Sequence, residues 1–416
     1  MTYVTANSFS DKSHSLSPII TRPHHVCMNQ SHNQVVLLGS AYRRRGPVPF
    51  GIRLRDRLLH LYIIGQTGTG KSTLLQSMIR QDAKAGQGLC LIDPHGDLAA
   101  SLAPMLRPGD IYWDVADPLS PYGYNPLTHT TEQYRPLVTS GLIDALKKQW
   151  ADAWGVRMEH LLRYSILALL EQPRADIREV VRLFIDRPFR NQVIDRVQDP
   201  QVRQFWTVEF PAMNYKTAVD GVAPIANKLG ALLAHPIVRQ AICEPEHPIR
   251  FRKLMDDGGI LIVNLAKGRI GPDIANVLGG LLTASLMNAA LSRHDLPEAD
   301  RAPFMLYVDE FHSFTTLAFA SAMAEVRKYG LGLTLAHQHI EQADPAVYEA
   351  ILGNAGSALT FRVGAFDAPT LAKQLATVAV PDLLNLANFE AFARIMVDGE
   401  KTKAFSVRTS PPNWEL

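Results

Sequence analysis

The run GQTGTGKST, Gly65 to Thr73, spaces Gly65, Gly70, Lys71 and Ser72 as a phosphate loop requires, with an apolar run before it and a helix-like one after. Glycines let successive backbone N–H groups turn inward around a phosphate, and the amino end of the following helix adds partial positive charge. Gly65, Thr67, Gly68, Thr69, Gly70, Lys71, Ser72 and Thr73 are therefore read as binding a nucleoside triphosphate, ATP with Mg2+. Lys71 is expected to reach the β- and γ-phosphates, and Ser72 to ligate the metal. Hydrolysis needs carboxylates as well. The apolar run FMLYV ends in Asp309 and Glu310, which places Asp309 on the magnesium shell and Glu310 as the group that orients or deprotonates the attacking water.

Two more stretches point at the same crevice. Asp93 ends the run GLCLID and should face the nucleotide, while His95 is read as shaping the turn. LAHQHIEQ follows an apolar run, and its His337 and His339 invite a metal reading. Three or four ligands would be needed, and no companion motif supplies them. A glutamine amide both donates and accepts, so Gln338 is the better reading, as a sensor of γ-phosphate or attacking water. The two histidines are then flanking loop residues.

Positioning these groups requires strands that end together. LHLYII, GLCLID, DIYWDV, GILIVN, PFMLYV, LGLTLA and ALTFRV are short apolar runs alternating with helical patterns, the signature of an α/β fold with a mainly parallel sheet. Between residues 130 and 253 the strand-like runs give way to helical ones, read as an inserted all-α domain. The expected division is a lead-in and edge segment at 1–50, the nucleotide-binding domain at 51–129 and 254–416, and the insert at 130–253. Basic residues exceed acidic ones in the insert by about five, counted from Arg135 to Lys253.

Bulk composition narrows the class further. The chain has 416 residues, 47% apolar and 20% charged, which fits a folded globular protein, and its formal charge of +2 excludes a polycation that binds nucleic acid throughout. Three cysteines, Cys27, Cys90 and Cys243, stand in no zinc-type spacing and argue for a reducing compartment, the cytoplasm. No secretory signal is expected, since the opening residues lack a basic stretch followed by an apolar run. Ile274 to Ser292 is long and apolar, but its Asn, Thr and Ser content and its place between two strand-like runs favour a buried crossover helix.

Taken in order, FGIRLRDRLLHLYIIGQTGTGKSTLL, LIDPHGDL, YNPL, ILIVNLAKG, LYVDEFHSF, AEVRKYGLGLTLAHQHIEQ and ILGNAGSALTFRVG resemble the motor domain of VirD4/TraG-type conjugative coupling proteins and the related HerA and FtsK ATPases. The resemblance runs from about Phe50 to about Ser406. It implies a RecA-like P-loop NTPase that assembles as a ring, usually a hexamer, and moves single- or double-stranded DNA with ATP. It implies too that the helical insert meets DNA or a relaxase cargo. Coupling proteins usually begin with transmembrane helices, absent here, so attachment at the inner membrane is expected to come from secretion partners if it occurs. In such rings a neighbour's arginine completes the site. Arg327 resembles the finger of HerA-type relatives, with Arg362 second and Arg57, acting in cis, third. Lys267 and Arg269 are a weaker thought for a DNA-facing loop. Two rival tasks share these motifs: a HerA-like translocase working with a nuclease, and a secretion ATPase with protein cargo.

Overall fold

A computed structural model describes residues 34–43, 46–128, 130–213 and 215–409. Most of the lead-in, with Cys27, lies outside them. The strands are β1 (Val35–Arg43), β2 (Gly46–Arg53), β3 (Leu61–Ile64), β4 (Gly88–Asp93), β5 (Ile111–Asp114), β6 (Tyr122–Gly123), β7 (His247–Pro248) and β8 (Ile260–Asn264). They continue with β9 (Phe304–Val308), β10 (Leu331–His337), β11 (Ser357–Thr360), β12 (Glu390–Arg394), β13 (Met396–Val397), β14 (Glu400–Lys401) and β15 (Phe405–Thr409).

Eleven of them form one sheet in the order β2-β1-β15-β12-β11-β3-β10-β9-β4-β8-β5. From β11 to β5 every pairing is parallel; from β11 back to β2 every pairing is antiparallel. The central parallel strands β3, β4, β8, β9 and β10 are buried along their whole length. Helices cover both faces there, so no solvated face imposes a polar alternation. This is the mainly parallel α/β sheet expected from the sequence.

Alternate residues of β3 feed two separate cores, as the period of a strand requires. Leu61 and Ile63 join the core that includes helix α1 (Lys71–Lys84), whereas Tyr62 and Ile64 join the core on the opposite face. That second core is shared with the helices between β6 and β7, among them α2 (Arg135–Gln149), α3 (Val156–Leu170), α4 (Arg178–Ile185) and α5 (Tyr215–Ala234). The paired β6 and β7 close the base of this helical segment. Its first helix, α2, packs on α6 (Pro272–Leu291), where Gly280 brings the backbone within contact of Ala145.

Helix α6 with the turn that follows is long and apolar enough to cross a membrane, yet 61% of its most apolar window is buried inside the fold. It forms the crossover between β8 and β9, the role its flanking strands implied.

Under α1 lies a buried ionic triad. The Arg57 guanidinium, 2% exposed, donates to both Asp82 oxygens at 2.7 and 2.8 Å and to the Tyr307 hydroxyl at 2.6 Å. Tyr307 donates in turn to Asp82, which is fully buried. Arg57 is thus committed to the carboxyl end of α1, and the suggestion that it serves a phosphate in cis is corrected: its guanidinium is held by Asp82 and Tyr307, and solvent does not reach it. Breaking such a set leaves an uncompensated buried cation. Asp82→Ala is expected to cost about 3–5 kcal/mol, read as a lowered midpoint in urea unfolding.

Candidate nucleotide-hydrolysis site

The strands β3, β9 and β10 are adjacent and parallel, so their carboxyl ends bring the phosphate loop, Asp309–Glu310 and Gln338 to one edge of the sheet. After Ile64 the chain turns through Gly65–Gly70 into α1. Gly68 and Gly70 have φ of +78° and +117°, a left-handed region that a side chain resists. Gly70 is doubly constrained, because a Cβ there would stand 2.8 Å from the Phe389 ring. The loop is tied down by Gln66 N–H to the Arg362 carbonyl at 2.9 Å, and by Phe389 N–H to the Thr69 carbonyl at 2.8 Å. The buried Thr69 hydroxyl closes it from within on the Gln66 carbonyl at 2.7 Å.

Lys71, at the amino end of α1, curls back into this loop, its Nζ donating to the carbonyls of Gly65 at 2.5 Å and Gln66 at 3.1 Å. Burial lowers its pKa, opposed by Asp309 and Glu310. An ammonium held by two carbonyls beside two carboxylates is one that a phosphate can recruit. Ser72 and Thr67 are exposed and Thr73 half-buried along the same rim.

Asp309 is buried, and its Oδ1 accepts from the Glu310 N–H at 3.0 Å. Burial first, then the neighbouring Glu310 and Asp93, push its carboxyl up to about 7. A folded-state pKa above the unfolded value means the native protein holds the proton more tightly. The associated stability is full below about pH 4 and is lost as pH rises through about 7. The nucleotide-free protein should therefore lose on the order of a few kcal/mol across that window through this group. Thermal melts of the wild type against Asp309→Asn at successive pH values measure it: the wild type should lose stability relative to the variant as pH rises from about 4 to about 7 if Asp309 is the source.

Glu310 adopts φ +48°, ψ 45°, a left-handed conformation rare for a residue with a Cβ. Strain of this kind persists where surrounding structure imposes it. Glu310 Oε1 accepts from the Gln338 amide at 2.5 Å, and Oε2 is buried without a hydrogen-bond partner in the protein. That oxygen is free to take a proton. His312 Nδ1 stands 3.4 Å from it, and burial lowers the His312 pKa, keeping the ring neutral. Gln338 also meets the Thr67 hydroxyl, which donates to its Oε1 at 2.7 Å. One amide thus joins the Gly65–Thr73 loop to Glu310. Gln338→Ala should lower turnover about 100-fold with little loss of nucleotide binding, the pattern for a group used mainly in the transition state. Steady-state hydrolysis and equilibrium binding of a non-hydrolysable analogue separate the two.

The remaining sequence-designated residues fall in several places. Both Asp93 oxygens are taken, by the N–H groups of His95 and Ala99 at 2.9 Å each, so Asp93 fixes its own turn and acts on Asp309 through charge. His95 is exposed in that turn. His337 is a correction: it is the buried last residue of β10 rather than a loop residue, its Nε2 at 2.6 Å from the Tyr62 hydroxyl, and burial takes its pKa to about 3. His339 pairs with Asp367 at 3.3 Å. Among the described residues no group of three or more His, Cys, Asp or Glu gathers as a metal site. Arg362 lies beside the loop of its own chain, its guanidinium held by the Leu386 carbonyl and Asn388 at 3.0 Å. Arg327 is exposed at the amino end of β10, the length of that strand, about 20 Å, from Gln338. A single chain does not bring it to the site. Lys267 and Arg269 sit on a short helical turn, Arg269 paired with Asp114 at 2.9 Å.

Sequence reasoning missed the Thr67–Gln338–Glu310 chain, the Phe389 ring over Gly70 and the placing of His312. Only the last left a signal, a histidine two residues beyond Glu310.

The donor set fits a magnesium nucleotide: an anion cradle with Lys71 inside it, a hydroxyl at Ser72, and a proton-holding Asp309 that a cation would ionise. Fold and site together define a P-loop nucleoside-triphosphatase fold of the RecA-like type. Residues 36–187 match the family model for the central domain of helicase HerA. Among solved structures, the unbound bacterial conjugative coupling protein TrwB is 18% identical over 92% of each chain, with a TM-score of 0.64. TrwB in complex with ADP and Mg2+ gives 0.65, at 18% identity over 92% of this chain and 91% of that one. VirB4 of Thermoanaerobacter pseudethanolicus gives 0.60, at 13% identity over 90% and 96%. No curated protein matches the chain. The resemblance to conjugative coupling ATPases thus extends to the fold over nearly the whole chain.

Proposed function

We propose that the protein is a ring-forming ATPase that couples hydrolysis of ATP, with Mg2+, to the translocation of DNA, in transfer of the conjugative or type IV secretion kind. The observation that carries this reading is the convergence of Lys71, Asp309, Glu310 and Gln338 on one edge of a sheet whose fold is that of a conjugative coupling protein. Lys71 and the loop N–H groups bind the triphosphate, and Ser72 and Asp309 hold the metal. Mg2+ would neutralise charge on the phosphates. Gln338 fixes Glu310, whose free Oε2 accepts the proton of the attacking water. Residues 51–129 and 254–416 form the motor and 130–253 the surface that meets DNA or a relaxase. A neighbour in a hexamer supplies Arg327, or failing that Arg362. The protein works in the cytoplasm, held at the inner membrane by secretion partners.

The test is ATP turnover at low salt with single- and with double-stranded DNA. At least one should stimulate, and stimulation should fall steeply with salt, since backbone phosphate contacts release counterions. Stimulation by neither removes DNA as the cargo and leaves the same ATPase with a protein cargo.

A further inference from the structure

We infer that Lys148 and Gln149, the last two residues of α2, are positioning residues for Glu310, through which the seating of the helical segment sets the rate of hydrolysis. The inference rests on the assignment of Glu310 as the base.

Immediately after Glu310 the chain makes a tight turn, Phe311–Ser313, and leaves through Phe314 and Thr315. Internal hydrogen bonds satisfy part of it: Ser313 N–H reaches the Glu310 carbonyl at 3.1 Å, and Thr315 N–H the Phe311 carbonyl at 3.0 Å. The carbonyls of His312, Ser313 and Thr315 point the other way, at α2. Lys148 Nζ donates to His312 O at 2.6 Å and to Thr315 O at 2.5 Å, and Gln149 Nε2 donates to Ser313 O at 3.0 Å. Three hydrogen bonds from one helix end thus hold the segment that follows the base.

Two features make this more than an incidental surface contact. Lys148 is desolvated enough that burial lowers its pKa to about 8, with Asp344 opposing. A side chain normally in water has given up hydration for two carbonyls. The turn is also fixed from α6, where Gly279 leaves the space that Phe314 fills; a Cβ there would lie 2.3 Å from the ring. Since α2 packs on α6, a shift of the helical segment relative to the sheet acts on both supports of the turn together. Glu310 cannot ignore that shift. Its left-handed backbone is one residue from the turn, and its carboxylate must meet Gln338 and the water at fixed positions.

The test compares kcat and KM for ATP in Lys148→Met, Gln149→Leu and Lys148→Arg with the wild type, alongside affinity for a non-hydrolysable ATP analogue and the melting temperature. For Lys148→Met we expect kcat to fall about tenfold or more, with KM and analogue affinity within about twofold, and Lys148→Arg to recover most of the loss. Gln149→Leu, which removes one anchor and keeps the cation, should show a smaller fall of the same kind. It also serves if Lys148→Met fails to fold. Unchanged kcat in a folded Lys148→Met overturns the inference. So does a parallel loss of kcat, analogue affinity and melting temperature in both Lys148→Met and Gln149→Leu, the mark of support for the fold alone. A wild type that binds the analogue yet never hydrolyses ATP fails earlier, at the assignment of Glu310, and is distinguishable from either.

Discussion

Glu310→Gln should cut ATP turnover by about a thousandfold or more while ATP and Mg2+ remain bound. The substitution keeps the shape of the side chain and its contact with Gln338, but it replaces the buried, partnerless Oε2 that would accept the proton of the attacking water. Its binding groups, Lys71 on the loop and Asp309 one residue before, are untouched in geometry. Loss of the Glu310 charge also relieves one of the influences that raise the Asp309 pKa, so Asp309 ionises more readily and the metal should be held at least as well. A variant that retains nucleotide and does not turn it over is thus the expected outcome. Rapid-quench hydrolysis together with retention of labelled ATP checks both halves. Wild-type turnover would place the base elsewhere.

Lys71→Ala should fail earlier, at binding. Its ammonium is the one cation inside the loop, and the two carboxylates that oppose the burial shift of its pKa would be left facing the phosphates without it. Affinity for ATP is expected to fall about 10- to 100-fold, the scale of one or two lost charge-assisted hydrogen bonds, and turnover to background. Asp309 should become still harder to ionise, because Lys71 is the neighbour that lowers its pKa. The two variants therefore separate: Lys71→Ala loses nucleotide, and Glu310→Gln keeps it. Titration with a fluorescent ATP analogue reads the difference.

Much of this arrangement was legible because the central strands are buried on both faces. GLCLI and FMLYV stand as unbroken apolar runs, fall within β4 and β9, and lead directly into Asp93 and Asp309. Phosphate-loop spacing depends on glycines and a lysine whose roles are local, so it too is visible in one sequence. The antiparallel edge was harder. In β12 the burial alternates, and Glu390 and Arg394 at its ends disguise a five-residue strand as a loop. Helices such as Arg187–Arg196 and Pro200–Gln204 carry few apolar residues and are capped by Asp186 and Asp199, a signal weaker than the periodicity of α2 and α3.

Contacts between residues far apart in the chain left no local trace. Arg57 looks free until Asp82 and Tyr307 close on it, and His337 looks like a loop residue until β10 carries it beneath Tyr62. Lys148 resembles any basic residue near a helix end, where cations are favoured. Only the folded chain shows that the carbonyls it meets belong to the turn that follows Glu310.

The most direct test of the central claim is an electron cryomicroscopy map of Glu310→Gln with ATP and Mg2+. We expect the triphosphate within the Gly65–Thr73 loop, Lys71 on its terminal phosphates, metal density between Ser72 and Asp309, and Gln338 facing the γ-phosphate. Nucleotide density on another surface, or a triphosphate in the loop with Asp309 and Gln338 both remote from it, would contradict the assignment.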